Sequence, residues 1–430
     1  MERGRKQGAL GMELLYTHTR GVSVAVARGR AQQDEVAPQE TLSVRVWTEG
    51  GRAGHRSGAP GEAEALVAGA IADSADAPPD AHAGPVSRQR PVIGGLGILD
   101  RRYEQLGEED RAEVPATAER AVRQVDRRLS ASDFWYRDQI RLRRFENSRG
   151  VSLEETDSLY EGSGTVTFSA DGGSISLRDH IQSRTFASIV SLPFGTTLAR
   201  RAVDLLQPAA PVEGPVRVLL PPLPVARLFA AIAEHFAASS FGADAAEPLF
   251  LQPRPDGAPV VDPRLHLQDD GTLPGSLRST SFDDRGVCPV PLTLLREGRV
   301  DGRFVGPSLA HLHDVRPTGH VTGDRQAPTN LILRSGTRSM NAALADLGAR
   351  VLIVDDLPDL SGLDPRTGAL DVTVHGVVVQ GNKPVGAARS VRLRGALLEV
   401  LNQVVEVCSD TDRIGHVDAP GIILDGFVAG

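Results

Sequence analysis

The chain has 430 residues, with 47 basic and 55 acidic side chains and a net charge of −8. That length exceeds one small core and points to two domains, while the acidic balance argues against a partner held mainly through a nucleic-acid backbone. With only Cys288 and Cys408, no signal-peptide pattern after Met1 and no apolar run near the roughly 20 residues of a membrane span, the chain reads as cytoplasmic rather than secreted or membrane-bound.

Residues 21–28 and 42–48 alternate apolar and polar side chains and predict two strands. The polar, acidic stretch 32–40 reads as their connection. A glycine turn at 49–54 and an Ala/Glu-rich helix at 62–75 follow. Breakers predict a loop over 77–94. Gly94-Gly95-Leu96-Gly97 lacks both the Gly-Lys-Ser/Thr pattern and the strand–turn–helix setting of a phosphate loop, so it reads as a tight turn. Residues 116–129 predict an amphipathic helix with Pro115 in its first turn. The basic run 137–144 reads as a solvated face of a helix or strand. Strands are expected at 140–145, 151–160 and 164–169, with a turn at Asn147-Ser148-Arg149-Gly150. A helical stretch at 183–205 is interrupted near Pro193. Residues 206–214 read as a linker, which divides the chain into domains 1–210 and 211–430.

The second half opens with a strand at 216–220, the breaker Pro221-Pro222-Leu223-Pro224, and a helix at 225–238. Leu228, Ala231, Ile232, His235 and Phe236 recur on one face of that helix, so His235 sits on or beside its apolar side. From about Leu249 onward strands and turns dominate. Short strands are expected at 290–297, 302–305, 331–334, 351–355, 369–380 and 388–393. Helices are expected at 340–347 and 396–407, and a last strand at 421–428. The whole predicts an α+β chain: an N-terminal α/β domain, then a mostly antiparallel, barrel-like sheet domain with a few helices.

Several residues carry possible chemistry. His235 follows Glu234, but one imidazole does not hold a catalytic Zn²⁺, which takes about three protein ligands. His311 and His313, two apart on an expected strand, would face the same side, without a placed third ligand. No Gly-x-Ser-x-Gly elbow supports a serine hydrolase. Asp283 and Asp284, in the loop Phe282-Asp283-Asp284-Arg285-Gly286-Val287, read as turn-capping carboxylates in preference to an acid–base pair.

An ordered series of motifs runs through the second half. It comprises Asp269-Asp270, the 281–287 loop, Pro317-Thr318-Gly319-His320 and Ala327-Pro328-Thr329-Asn330. Asp364-Pro365-Arg366-Thr367-Gly368, Arg394-Gly395-Ala396-Leu397-Leu398-Glu399 and the ending 419–430 complete it. In this order they resemble the TldD/PmbA (TldE) family, and the first half fits the same pattern more weakly. In that family an active TldD subunit bears His-Glu-x-x-x-His and a C-terminal cysteine as metal ligands. It pairs with a TldE/PmbA subunit that lacks them. The pair is a zinc-type metallopeptidase that cuts unstructured peptides in a shared cavity and matures some ribosomal peptide antibiotics.

The resemblance implies that this chain is the non-catalytic subunit. Ala230 and Ala231 stand where the first His and the Glu would be, His235 matches the second His, and Cys408 lies near the cysteine position outside its usual context. It implies no catalytic or metal residue on this chain, zinc on a TldD-like partner, and an unfolded or ribosomal peptide as substrate. Asp283, Asp284, Gly286 and Asn330 become peptide-binding or loop-structural candidates. Three departures suggest a divergent member serving a dedicated peptide: Arg285 in place of a glutamate, a short or absent helix before Gly21, and Arg392 and Arg394 in a strand. The alternatives are a homodimeric peptide-binding or regulatory protein with no enzymatic role, and a self-sufficient enzyme using His311 and His313.

Overall fold

Long strands with alternating burial set the architecture of the first half. The structure, a computed structural model, describes residues 1–27, 30–79, 84–87, 95–170, 173–237 and 257–430. In chain order the first half contains α1 (Glu2–Lys6), β1 (Gly11–Ala27), β2 (Arg30–Trp47), β3 (Ala53–Gly58), α2 (Ala63–Asp76) and α3 (Glu108–Val125). Then come β4 (Leu129–Asn147), β5 (Ser152–Ala170), β6 (Gly173–Ser183), α4 (Phe186–Ser191) and α5 (Phe194–Asp204). The six strands form one antiparallel sheet in the order β3-β2-β1-β4-β5-β6. Helices α3 and α5 cover one region of it, burying Val122, Leu198 and Ala202 against Phe134, Val166 and Phe168. Helix α2 buries Leu66 and Ala70 against Val44 and Val46.

Four expectations change here. The acidic stretch 32–40 is part of β2, because its main chain pairs with β1 whatever its side chains are. The strands expected at 151–160 and 164–169 are one strand. Residues 161–163 continue it by pairing with β4 and β6, and the missing side chain of Gly164 makes room for the Phe134 ring, which a Cβ there would meet at 2.2 Å. Helix α3 begins at Glu108, where an acidic first turn and the Gly107 N–H, bonded to Asp110 Oδ2 at 2.8 Å, favour its start; Pro115 is therefore inside the helix. The basic run lies on β4, and Arg143 is buried where a solvated side chain was expected. Gly94, the end of the expected 77–94 loop, Ala238 and Leu249 lie outside the described residues.

The second half contains β7 (Gly214–Leu220), α6 (Pro222–Ala233), β8 (Leu267–Asp269), β9 (Leu292–Arg296), β10 (Arg299–Val300), α7 (Pro307–Leu312) and β11 (Val321–Thr322). It continues with β12 (Arg325–Gln326), β13 (Leu331–Leu333), α8 (Met340–Leu347), β14 (Arg350–Val354), β15 (Ala369–Gln380), β16 (Lys383–Ala396), α9 (Leu397–Asn402), β17 (Val404–Ile414) and β18 (Val417–Ala429). Ten of these strands form one sheet, mostly antiparallel, with β7–β14 and β13–β18 parallel. Because β18 pairs with both β7 and β16, the path β18-β16-β15-β14-β7 returns on itself as a small barrel. The α+β class with a barrel-like, largely antiparallel second half is what the structure has. The helix expected over 396–407 is α9 alone. After Asn402 the chain extends as β17, because Glu406 and Val407 pair with Ile423 and Ile422.

Helix α6 starts at Pro222, with prolines tolerated in its first turn. Alternation along three strands sorts what lies on either side of the sheet. Val218 and Leu220, Ile422 and Leu424, and Leu352 and Val354 share a core with α6. Leu219, Ile423 and Val351 point the other way and pack with α8 and Cys408.

Candidate functional site

The C-terminal end of α6 runs into one 3-10 turn, Glu234–Phe236. Leu228, Ile232 and Phe236 are buried, whereas Ala230, Ala231 and His235 are half-buried and Glu234 is exposed. His235 thus lies at the margin of the apolar face, as its spacing predicts. Burial pushes its imidazole below the ordinary value, against the opposing pull of Glu234.

A zinc ion does not fit the residues this chain offers at that point. The two positions one turn before His235 present methyl groups. Cys408 is fully buried on the opposite side of the sheet from α6, its thiol pushed up to about 12 by burial and by Glu406 and Asp410. Among the described residues no three His, Cys, Asp or Glu side chains come together in a metal-holding group. His311 and His313 do not sit on a strand: His311 is in helix α7, His313 caps it, and both are exposed. Side chains two apart on a helix diverge, so the shared-face reading of this pair is corrected.

Glu234 instead borders a polar cavity of about 420 Å³ between the two halves of the molecule. Its first wall is the β4–β5 part of the six-stranded sheet. There Asp157 accepts Arg184 Nη1 at 2.6 Å and Arg141 Nε at 2.9 Å. Arg143 donates to Asp284 Oδ1 at 2.5 Å and to the Phe282 carbonyl at 3.1 Å. Arg184 also reaches across to the Ser276 and Leu277 carbonyls, and Glu155 accepts the Ser281 hydroxyl at 2.7 Å. The wall is therefore laced to the second half by charge-assisted bonds, which are about twice as strong as neutral ones.

The opposite wall contains the loop 281–287. Asp283 is 4 % exposed and accepts the backbone N–H groups of Arg285 (2.8 Å), Val287 (2.9 Å) and Val321 (3.0 Å). Burial nevertheless pushes its carboxyl up to about 6, against those three bonds and the Arg285 charge. Asp284 also accepts the Gly323 N–H at 2.7 Å, tying the loop to the turn between β11 and β12. Gly286 has φ 71°, and a Cβ there would meet the Phe145 ring at 2.3 Å. Asn330 donates to the Asp270 carbonyl (2.8 Å) and the Ser279 hydroxyl (3.0 Å) and accepts the Arg278 N–H (2.9 Å). All four candidate residues hold loops at the cavity wall, and Asp283 and Asp284 line it.

Three further groups on this wall carried no role in the sequence reading. His320 Nε2 meets Asp269 Oδ1 at 2.7 Å, and the His320 ring stacks on Phe304 at 4.4 Å. Arg278 opens onto the cavity, and His416, in the two-residue turn between β17 and β18, lines it. Asp269 and His320 stood in the quoted motifs, so their positions were legible but their pairing was not. Arg278 and His416 lie in stretches with no local pattern, and only the tertiary fold brings them to the cavity.

The family model described as the PmbA/TldA metallopeptidase C-terminal domain matches residues 213–430. No curated protein matches the chain. Solved structures share its fold over 100 % of its length. A candidate modulator of a DNA gyrase from Thermotoga maritima has 19 % identity, a TM-score of 0.84 and 98 % of its own chain covered. A second candidate DNA gyrase modulator, from Bacteroides thetaiotaomicron, has 18 % identity, a TM-score of 0.84 and 97 % coverage. TldE from Thermococcus kodakarensis has 16 % identity, a TM-score of 0.81 and 98 % coverage.

Proposed function

The chain belongs to the TldD/PmbA/TldE family, and from that premise we propose that it is the non-catalytic, TldE-like subunit of a heterodimeric metallopeptidase acting on unstructured peptides. The observation that carries this reading is the pair Ala230 and Ala231 on α6, in a family named for metallopeptidase activity. The helix keeps its packing, with Leu228, Ile232 and Phe236 buried, and presents methyl groups where metal ligand and base would stand. A TldD-like partner would supply the zinc, which activates water and polarises the scissile carbonyl. This chain's part is to close and shape the cavity and to hold the peptide.

The cavity's construction supports that division. Its polar walls suit a peptide backbone, which carries one donor and one acceptor at nearly every residue. Strand β6 is an edge of its sheet, and its Gln182 lines the cavity, so an extended peptide can add to that edge through main-chain bonds. Such bonds are blind to side chains and exclude folded chains by size. The purified chain should bind an unstructured peptide without cutting it. Co-expression beside a family member bearing His-Glu-x-x-x-His should yield a stable complex. Recovery of the chain solely as a homodimer, indifferent to that partner, would favour a non-enzymatic binding protein.

A further inference from the structure

The cavity holds an imbalance of charge that the peptide-holding role does not by itself require. On the first wall each arginine has a carboxylate: Arg141 and Arg184 have Asp157, and Arg143 has Asp284 and Glu155. On the opposite wall Arg278 and Arg325 have no carboxylate within ion-pair distance among the described residues. Asp269, a buried carboxylate whose charge acts on Arg278, is already taken by His320 and by the Thr329 N–H at 2.7 Å. Glu234, exposed at the rim, acts on the Arg278 charge through space, but among the described residues it lies within ion-pair distance of neither arginine.

Arg278 is nonetheless fixed in place. Its backbone N–H donates to Asn330 Oδ1 at 2.9 Å, and Nη1 donates to the Pro328 carbonyl at 3.0 Å. The preceding residue, Leu277, is held by Arg184. Arg278 is otherwise exposed and lines the cavity. Beside it, the His416 Nε2 is buried with no hydrogen-bond partner among the described residues. Surrounding protein weakens the Arg278 cation, the Glu234 and Asp269 charges oppose that and the Arg325 charge adds to it, while burial together with Arg278 pushes His416 down to about 3. An anion beside Arg278 and Arg325 offsets the cost of holding the Arg278 cation and brings a negative charge next to the His416 ring. A planar carboxylate also matches the guanidinium fork.

We propose that Arg278, with Arg325 and His416 beside it, receives a carboxylate of the bound peptide, and so fixes one end of a chain that main-chain pairing alone would let slide. This rests on the peptide-binding reading above and adds the ligand's chemical class and its anchor. The carboxylate has two sources, the peptide's C-terminus or an acidic side chain.

The test follows the ring signals of His416 by NMR in the full chain. It titrates acetyl-Ala-Ala as free acid and as amide, then an unstructured hexapeptide as free acid, as amide, and as amide with one internal glutamate. The free acids should move the His416 signals and bind at least about tenfold more tightly than the amides. Arg278→Gln should abolish that preference and Arg278→Lys should restore part of it. A glutamate-bearing amide that binds like the free acid assigns the carboxylate to a side chain. Equal binding of acid and amide to the unaltered chain overturns the proposal without recourse to any variant. So does an undiminished preference in Arg278→Gln. Binding of the short acid without binding of any hexapeptide leaves the carboxylate site standing and removes the peptide-holding role.

Discussion

His320 Nε2 lies 2.7 Å from Asp269 Oδ1, and both side chains are completely shielded from solvent. The same carboxylate accepts the Thr329 N–H and hydroxyl, so one residue of β8 anchors two segments of the cavity wall. Asp269→Ala would strand the histidine and both Thr329 donors in an apolar setting. Each buried donor left without its acceptor costs about 1–3 kcal/mol. Urea denaturation of Asp269→Ala should show a loss of that order, and a loss near zero would mean that water replaces the carboxylate.

Gly286 and Gly150 both have positive φ, 71° and 81°, but differ in surroundings. A Cβ at Gly150 meets nothing within 4 Å, whereas at Gly286 it meets Phe145 at 2.3 Å. Gly150→Ala should cost about 1–2 kcal/mol from the left-handed backbone alone. Gly286→Ala should add about 1–3 kcal/mol from overpacking. Thermal midpoints of the two variants measured side by side check the ordering.

Asp283 gives a pH signature. Its carboxyl is raised to about 6 in the folded protein, above an ordinary value of 3.8. The folded state therefore holds a proton that the unfolded chain releases. That contribution is fully present below about pH 4 and is lost as pH rises through about 6. The stability of the native protein relative to Asp283→Asn should fall between pH 4 and pH 7. Guanidinium titrations at four pH values measure this, and a constant or rising difference contradicts it.

Cys408 faces away from α6, and its thiol is raised to about 12. The double substitution Ala230→His, Ala231→Glu should therefore not create a zinc peptidase, because the cysteine is on the wrong side of the sheet. In the native chain Cys408 should react with a thiol reagent only on unfolding. Zinc-dependent cleavage by the double variant would require Cys408 to turn towards α6.

The sequence was legible where a pattern is local. Strand β7, the Asn147–Gly150 turn, helix α8 and the two-part helix around Pro193 followed from alternation, breakers and period. The reading went astray where a distant partner decides. Residues 32–40 are strand because β1 pairs with them, 404–407 are strand because β18 does, and 161–163 are strand because β4 and β6 pair with them on either side. The loop 281–287 and Asn330 could be singled out from the chain itself. Arg278 and His416 could not, since their significance lies in which charges the fold leaves unpaired around one cavity.

Peptidase activity, measured with and without a partner, tests the division of labour most directly. The purified chain, given zinc and an unstructured peptide, should show neither hydrolysis nor stoichiometric metal, and the same peptide should be cut once a family member carrying His-Glu-x-x-x-His is added. Hydrolysis by the chain alone, with one tightly bound zinc per molecule, would contradict the assignment of the chemistry to the partner.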